Sequence, residues 1–272
     1  MKTFNRTTEL KICAEYKAGA SSGMLSKKYR VHHATILRIL ERRGVQRRTR
    51  VEAGRKYYVD HDYFSEINDP DKAYRLGFIM ADGYLKPRSR RRSARLGIVL
   101  ALRDRAHLSK LLSDMHSNYP IYYLTNRKHP ACAVYISSNQ LVDDLNRHGV
   151  PFARGFARFP STLNPKLYNH FMRGLWDGDG SLVNNKGQWI WSIVGDLPLL
   201  KTVQKILMKY CRVKKTKIMR ERCLGRVYKL KYRGNLQVPR ILKWLYKGST
   251  PKACLYRKIL KAKMCAPLLR PA

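Results

Sequence analysis

A chain of 272 residues that carries 56 Lys and Arg against 18 Asp and Glu has a formal charge of +38. A compact body with that charge repels itself unless a polyanion neutralises it, so nucleic acid is the expected partner, its released counterions driving the association. There is no run of about 18 apolar residues, which excludes a membrane-spanning helix, and Met1 to Leu10 lacks the apolar stretch of a secretory signal.

Residues 7 to 50 read as three short helices. Thr7 or Thr8 is placed to cap the first, which ends at Gly19 with Leu10 and Ala14 on an apolar stripe of helical period. Ser21 or Ser22 caps a second containing Met24, Leu25 and Tyr29. The third runs from His33 to Arg43, with Ile36, Leu37 and Leu40 inward and Gly44 ending it. The stretch KAGASSGMLSKKYRVHHATILRILERRGV resembles the helix-turn-helix of invertases, resolvases and transposases. That resemblance implies a third helix in the major groove, with His32, His33, Thr35 and Arg38 toward the bases. The same helices also fit a small protein-binding bundle. The basic tail Arg42, Arg43, Arg47, Arg48 and Arg50 favours DNA, since such an arm follows a groove or its phosphates. Residues 1–50 are expected as this DNA-binding domain, and residues 51–70 as a basic linker and lead-in.

The remainder repeats itself. Ala73 to Leu85 (AYRLGFIMADGYL) superimposes on His170 to Leu182 (HFMRGLWDGDGSL) at one offset, 179 − 82 = 97, which pairs Gly77 with Gly174, Ala81 with Gly178 and Asp82 with Asp179. Downstream, each copy continues with a strand, an Asp (Asp104 or Asp196) able to cap a helix, and an amphipathic helix. Two more strands follow, about Ile121–Asn126 and Ala131–Ser137 in one copy and Lys214–Arg220 and Arg226–Arg233 in the other. Asn139 and Asn235 stand where each last helix starts. Each copy therefore reads α-β-β-α-β-β-α, over residues 71–158 and 159–272, in an α+β fold with two antiparallel sheets.

Small residues four apart lie on one helix face and let two backbones approach closely. Helices crossing at Gly77 and Ala81 against Gly174 and Gly178 bring Asp82 and Asp179 side by side at their C-terminal ends. Either Asp-Gly alone reads as a turn or cap. Two in register make an unfavourable pair of carboxylates at negative dipole ends, which a divalent cation relieves. Hard oxygen ligands with open positions suit Mg2+, with Mn2+ or Ca2+ able to take the same place. Such a centre beside a phosphodiester is a hydrolytic one.

RLGFIMADG and MRGLWDGDG resemble the two signature helices of LAGLIDADG homing endonucleases, over about residues 57 to 265. Arg75-Leu76 and Met172-Arg173 replace the opening Leu-Ala. The resemblance implies a duplicated core with two saddle-shaped sheets about a pseudo-twofold axis, in one monomeric chain. It implies site-specific cleavage of both DNA strands across the minor groove, leaving short 3′ overhangs, with Asp82 and Asp179 on the metal. Asp177 faces Met80 in the repeat and stays outside the pair. It further implies a basic residue near each centre after each repeat's last helix; GVPFARGFARFP and GSTPKACLYRK offer Arg154 and Lys252, with Arg257 a lesser choice. A polar pocket residue at the end of the second strand falls on Arg103 in one copy and Gly195 in the other.

The strands are expected to read DNA. In RVYKLKYR, Lys229, Lys231 and Arg233 share one face and Tyr228, Leu230 and Tyr232 the other. Lys215 and Lys217 decorate the neighbouring strand; Lys86, Arg88 and Arg90 to Arg92 do so in the first copy. Antiparallel ribbons fit the major groove, and copies this different need no palindromic target. The six cysteines form no C-x-x-C, so neither structural zinc nor a disulfide framework is expected, and the location expected is the cytoplasm of a prokaryotic or phage-infected host. Two rivals keep the same scaffold: an RNA maturase aiding intron splicing, and a helix-turn-helix regulator without catalysis.

Overall fold

The computed structural model describes residues 4–17, 19–47, 56–90, 92–125, 128–152, 155–221 and 227–266. The chain divides into two compact units, Met1–Tyr58 and Val59–Ala272.

The first unit holds helices α1 (Arg6–Lys17), α2 (Ser22–Tyr29) and α3 (His33–Arg42). The cap of α1 is Asn5, whose Oδ1 accepts from the Thr8 N–H at 2.9 Å, so the helix starts before the expected threonines. Ser21 caps α2, accepting from Met24 at 3.0 Å, and the His32 Nδ1 caps α3. The inward face of α1 differs from the expected one: Leu10 is 54% exposed and Ala14 is exposed. Glu9 turns inward to pair with Arg42 and Arg43 of the third-helix end, which rotates Ile12, Cys13 and Tyr16 into the core against Leu25, Ile36 and Leu40.

The second unit is α+β and duplicated. Its first copy runs α4 (Pro70–Asp82), β1 (Gly83–Lys86), β2 (Arg95–Ala101), α5 (Arg105–Asp114), β3 (Tyr122–Leu124), β4 (Ala131–Ser137) and α6 (Asn139–Arg147). Its second runs α7 (Tyr168–Asp179), β5 (Gly180–Asn185), β6 (Gln188–Gly195), α8 (Leu197–Cys211), β7 (Met219–Arg220), β8 (Tyr228–Arg233) and α9 (Gln237–Leu245), followed by α10 (Tyr256–Cys265). The sheets are antiparallel, with orders β1-β2-β4-β3 and β5-β6-β8-β7. Alternation sets the core: Leu96, Ile98 and Leu100 point inward from β2, and Trp191 and Ile193 from β6. Val59 and Phe64, ahead of α4, are buried in this same core.

Only Met219 and Arg220 of the expected strand 214–220 pair in the sheet. The preceding backbone is held by side chains instead: Lys214 N–H donates to Gln237 and the Thr216 carbonyl accepts from Gln204. The last helix of the second copy starts at Gln237 rather than at Asn235, whose amide bonds the Gly187 carbonyl and the Trp189 N–H. Asp104 and Asp196 hold the cap positions of α5 and α8, yet neither side chain makes a capping bond. Five cysteines are free and buried; Cys223 lies outside the described residues. Among the described residues no helix is long and apolar enough to cross a membrane.

Candidate active site

Helices α4 and α7 meet backbone to backbone. A Cβ on Gly77 would stand 2.0 Å from the Phe171 carbonyl oxygen, and one on Gly174 2.0 Å from that of Tyr74. The contact is reciprocal, each glycine receiving the carbonyl three residues before its counterpart. One turn on, a Cβ on Gly178 would lie 2.3 Å from the Ala81 Cβ and 3.0 Å from the Asp82 Oδ2. All four small residues of the repeat thus lie at the crossing, and Asp82 rests against the residue before Asp179.

Both acids end their helices, where the backbone dipole is negative. Partial burial pushes the Asp82 carboxyl up to about 6; Lys258 and Arg257 oppose this, while Asp104 and Asp177 add to it. Burial pushes Asp179 up to about 7, with the charge of Asp82 next in weight. Their repulsion falls on whichever ionises second.

A buried lysine faces both. Lys258 on α10 donates to the carbonyls of Trp176 at 2.5 Å and Gly180 at 2.7 Å, over the Trp176 ring. It therefore satisfies the open carbonyl end of α7. Burial lowers its ammonium to about 8 against the opposing pull of Asp177, Asp82 and Asp179. Asp177 is wholly buried beneath them. Its Oδ2 accepts from the Tyr74 hydroxyl and the Leu255 N–H, both at 2.7 Å, and burial raises it. Two buried arginines fasten the segment before α10: Arg75 donates to the Lys252 carbonyl, Arg173 to those of Leu245 and Ala253.

The negative charges of Asp104 and Asp196 are felt at the pair, that of Asp104 at Asp82 and that of Asp196 at Asp179, each raising the carboxyl. Asp104 accepts from Arg257 at 3.1 Å and Asp196 from the Ala157 N–H at 2.7 Å, which is why neither caps its helix. They, rather than the exposed Arg103 and the side-chainless Gly195, are the polar groups at the ends of the second strands. Lys252 is exposed, and the lysine beside the acids is Lys258; Arg154 lies outside the described residues. Lys258 was findable: it shares a helix face with the buried Ala262 and Cys265, a lysine at a core position of an amphipathic helix.

The other expected residues are distributed over the surface. Lys86, Arg88, Arg90 and Arg92 are exposed around the β1–β2 connection, and Lys215 and Lys217 before β7. Lys229, Lys231 and Arg233 alternate with the inward Leu230 and Tyr232; Lys229 pairs with Glu221 at 3.1 Å. In the first unit His33 and Arg38 are exposed, Thr35 is half-buried and Arg47 pairs with Glu41 at 2.6 Å; Arg48 lies outside the described residues.

A divalent cation fits the two carboxylates: they are hard oxygen donors brought together at a cost that a positive ion removes. Mg2+ commonly takes one or two carboxylates and leaves its other positions to water and substrate phosphate. Among the described residues no group of three or more His, Cys, Asp or Glu gathers as a metal site.

No protein-family model and no curated protein matches the sequence. Solved structures do match the fold. The meganuclease I-SmaMI bound to uncleaveable DNA is 13% identical over 74% of this chain and 89% of its own, with a TM-score of 0.50. The I-LtrWI LAGLIDADG homing endonuclease bound to target DNA is 10% identical over 75% and 91%, at 0.47. Full-length DUF199/WhiA from Thermatoga maritima is 16% identical over 75% of this chain, at 0.47; the chain spans 64% of that protein's length.

Proposed function

Starting from the LAGLIDADG fold of this chain, we propose that it is a divalent-metal-dependent endonuclease that cuts both strands of duplex DNA at one long, asymmetric site. The observation that carries the reading is the meeting of Asp82 and Asp179 at the shared end of two crossing helices. A single chain supplies both acids, so a monomer suffices. Asp82 and Asp179 hold the ion through their carboxylate oxygens. When bound, Mg2+ (or Mn2+, with Ca2+ as an occupant) activates water and neutralises charge on the phosphate. Lys258 keeps positive charge beside the pair and holds the end of α7 in place. The +38 charge concentrates the chain on DNA, and the first unit adds affinity through His33, Arg38 and the arm containing Arg47 and Arg48.

The test is incubation of the full chain with a randomised duplex library and Mg2+, followed by sequencing of the cut ends. The expected result is double-strand cleavage at one sequence, lost by about a hundred-fold or more in Asp82→Asn and in Asp179→Asn while binding persists. Selective DNA binding with no cleavage by the parent identifies a non-catalytic regulator. Preference for a structured intron RNA over any duplex identifies a maturase.

A further inference from the structure

The strand register fixes which side chains stand together on the outward face of each sheet, because directly paired residues of an antiparallel ladder share a face. On the first sheet Tyr84 pairs with Gly97, and Gly97 with Tyr135. The Tyr84 ring occupies the space a side chain on Gly97 would need, a Cβ there lying 2.3 Å from its Cζ. In the next row Val99 pairs with Ala133 and Ala133 with Tyr122, whose ring is 5.8 Å from that of Tyr135. The middle of this sheet is thus a layer of tyrosine rings over small residues. Its outward cations, Lys86 and Arg95, pair with each other at the far end of β1 and lean on Tyr84 and Tyr135.

The second sheet differs at the same positions: its outward face mixes aliphatic side chains with cations and, among the described residues, carries no ring. Its three outward rows run Met219–Lys229–Val194, Lys231–Ser192–Ser181 and Arg233–Ile190–Val183. Each row carries a cation, and the aromatics of its strands, Trp189, Trp191, Tyr228 and Tyr232, all belong to the inward alternation. Lys229 is paired with Glu221, which leaves Lys231 and Arg233 as the donors on offer.

In the major groove, thymine presents a methyl group, and guanine presents the N7 and O6 acceptors that Lys and Arg match. We propose, resting on the DNA reading above, that the two halves of the target differ in base class. Under the first sheet the duplex presents thymine methyls to Tyr84, Tyr135, Tyr122 and Val99. Under the second it presents guanine edges to Lys231 and Arg233. The duplicated scaffold has thus diverged into one reader faced with tyrosine rings and one whose every row carries a cation.

The experiment selects duplexes from a randomised pool with the metal-free full chain. It then replaces thymine by uracil, or guanine by 7-deazaguanine, in one half at a time. Uracil removes only the methyl and 7-deazaguanine only the N7 acceptor. Uracil is expected to weaken binding in one half, by about four-fold per buried methyl. 7-Deazaguanine is expected to weaken it in the other, by about five-fold or more per contacted base. Tyr135→Ala abolishes the first sensitivity alone, and Lys231→Ala with Arg233→Ala the second alone. A selected duplex on which both analogues act equally on both halves, or on which neither acts, overturns the proposal; cations bound only to phosphates give that second result. If no duplex sequence is enriched, the DNA reading fails and this proposal with it. Selective binding with the expected analogue pattern but no cleavage sinks the nuclease reading and leaves this one standing.

Discussion

Replacing Gly174 by alanine tests the helix crossing on which the centre is built. The added Cβ would stand 2.0 Å from the Tyr74 carbonyl oxygen and 2.7 Å from the Phe78 nitrogen. Carbon and carbonyl oxygen rest at roughly 3.3 Å, so α4 and α7 must separate by about 1.3 Å at their closest point. The obstruction is backbone, so no rotamer change relieves it, and the penalty belongs at the upper end of the overpacking range, about 3 kcal/mol. Alanine returns about 1 kcal/mol of helix propensity, leaving a net loss of about 2 kcal/mol. For a unit the size of Val59–Ala272 that is a fall in Tm of about 4–8 °C. Gly23→Ala is the control: its nearest neighbour, Ser21 Oγ, is 3.8 Å away, so the helix propensity is gained without a clash. Calorimetry on the three proteins reads the difference. A Gly174→Ala protein as stable as the parent would refute the close crossing, and with it the placement of the acids.

The buried charges make stability depend on pH and on metal. Asp82 and Asp179, pushed up to about 6 and about 7 from 3.8, bind protons more tightly folded than unfolded. Their contribution to stability is therefore greatest below about pH 4 and is lost as pH rises toward 7, about 1.4 kcal/mol for each ten-fold gain in proton affinity on folding. In metal-free buffer at pH 8, Asp179→Asn should melt above the parent, and Mg2+ should reverse the order; a parent that is more stable without metal would contradict this. Lys258→Met takes the ammonium donor from two carbonyls, of which that of Trp176 keeps the Gly180 N–H, and removes the largest charge opposing Asp177, a loss of about 3 kcal/mol that thermal unfolding of the second unit will show. Glu9→Gln weakens the charge-assisted contacts to Arg42 and Arg43, so amide exchange should speed up by about ten-fold or more in α1–α3 and stay unchanged in the second unit.

The duplicated core was legible because its signals repeat. One offset links Gly77, Ala81 and Asp82 to Gly174, Gly178 and Asp179, and the helix crossing brings those six residues together. The outward alternation of Lys229, Lys231 and Arg233 followed from strand periodicity alone. What could not be read were choices made by tertiary partners. Glu9 is drawn inward by Arg42 and Arg43, displacing Leu10 from the stripe that apolar spacing favours. Asp104 and Asp196 look like helix caps locally, but Arg257 and the Ala157 N–H take their carboxylates instead. Segment 214–218 has strand composition, and its backbone is taken up by Gln204 and Gln237. The charge of Lys258 rather than that of Lys252 is felt at the acids, because Lys258 is buried against the end of α7 while Lys252, whose carbonyl Arg75 holds, is exposed.

The most direct measurement is a double-substitution cycle on Mn2+ affinity, by titration calorimetry of the parent, Asp82→Asn, Asp179→Asn and the double variant. A cation held jointly by the two carboxylates gives strong non-additivity: either single change removes most of the binding, and the second removes little more. Two losses that simply add, or Mn2+ affinity that survives both changes, would show that the acids do not share an ion.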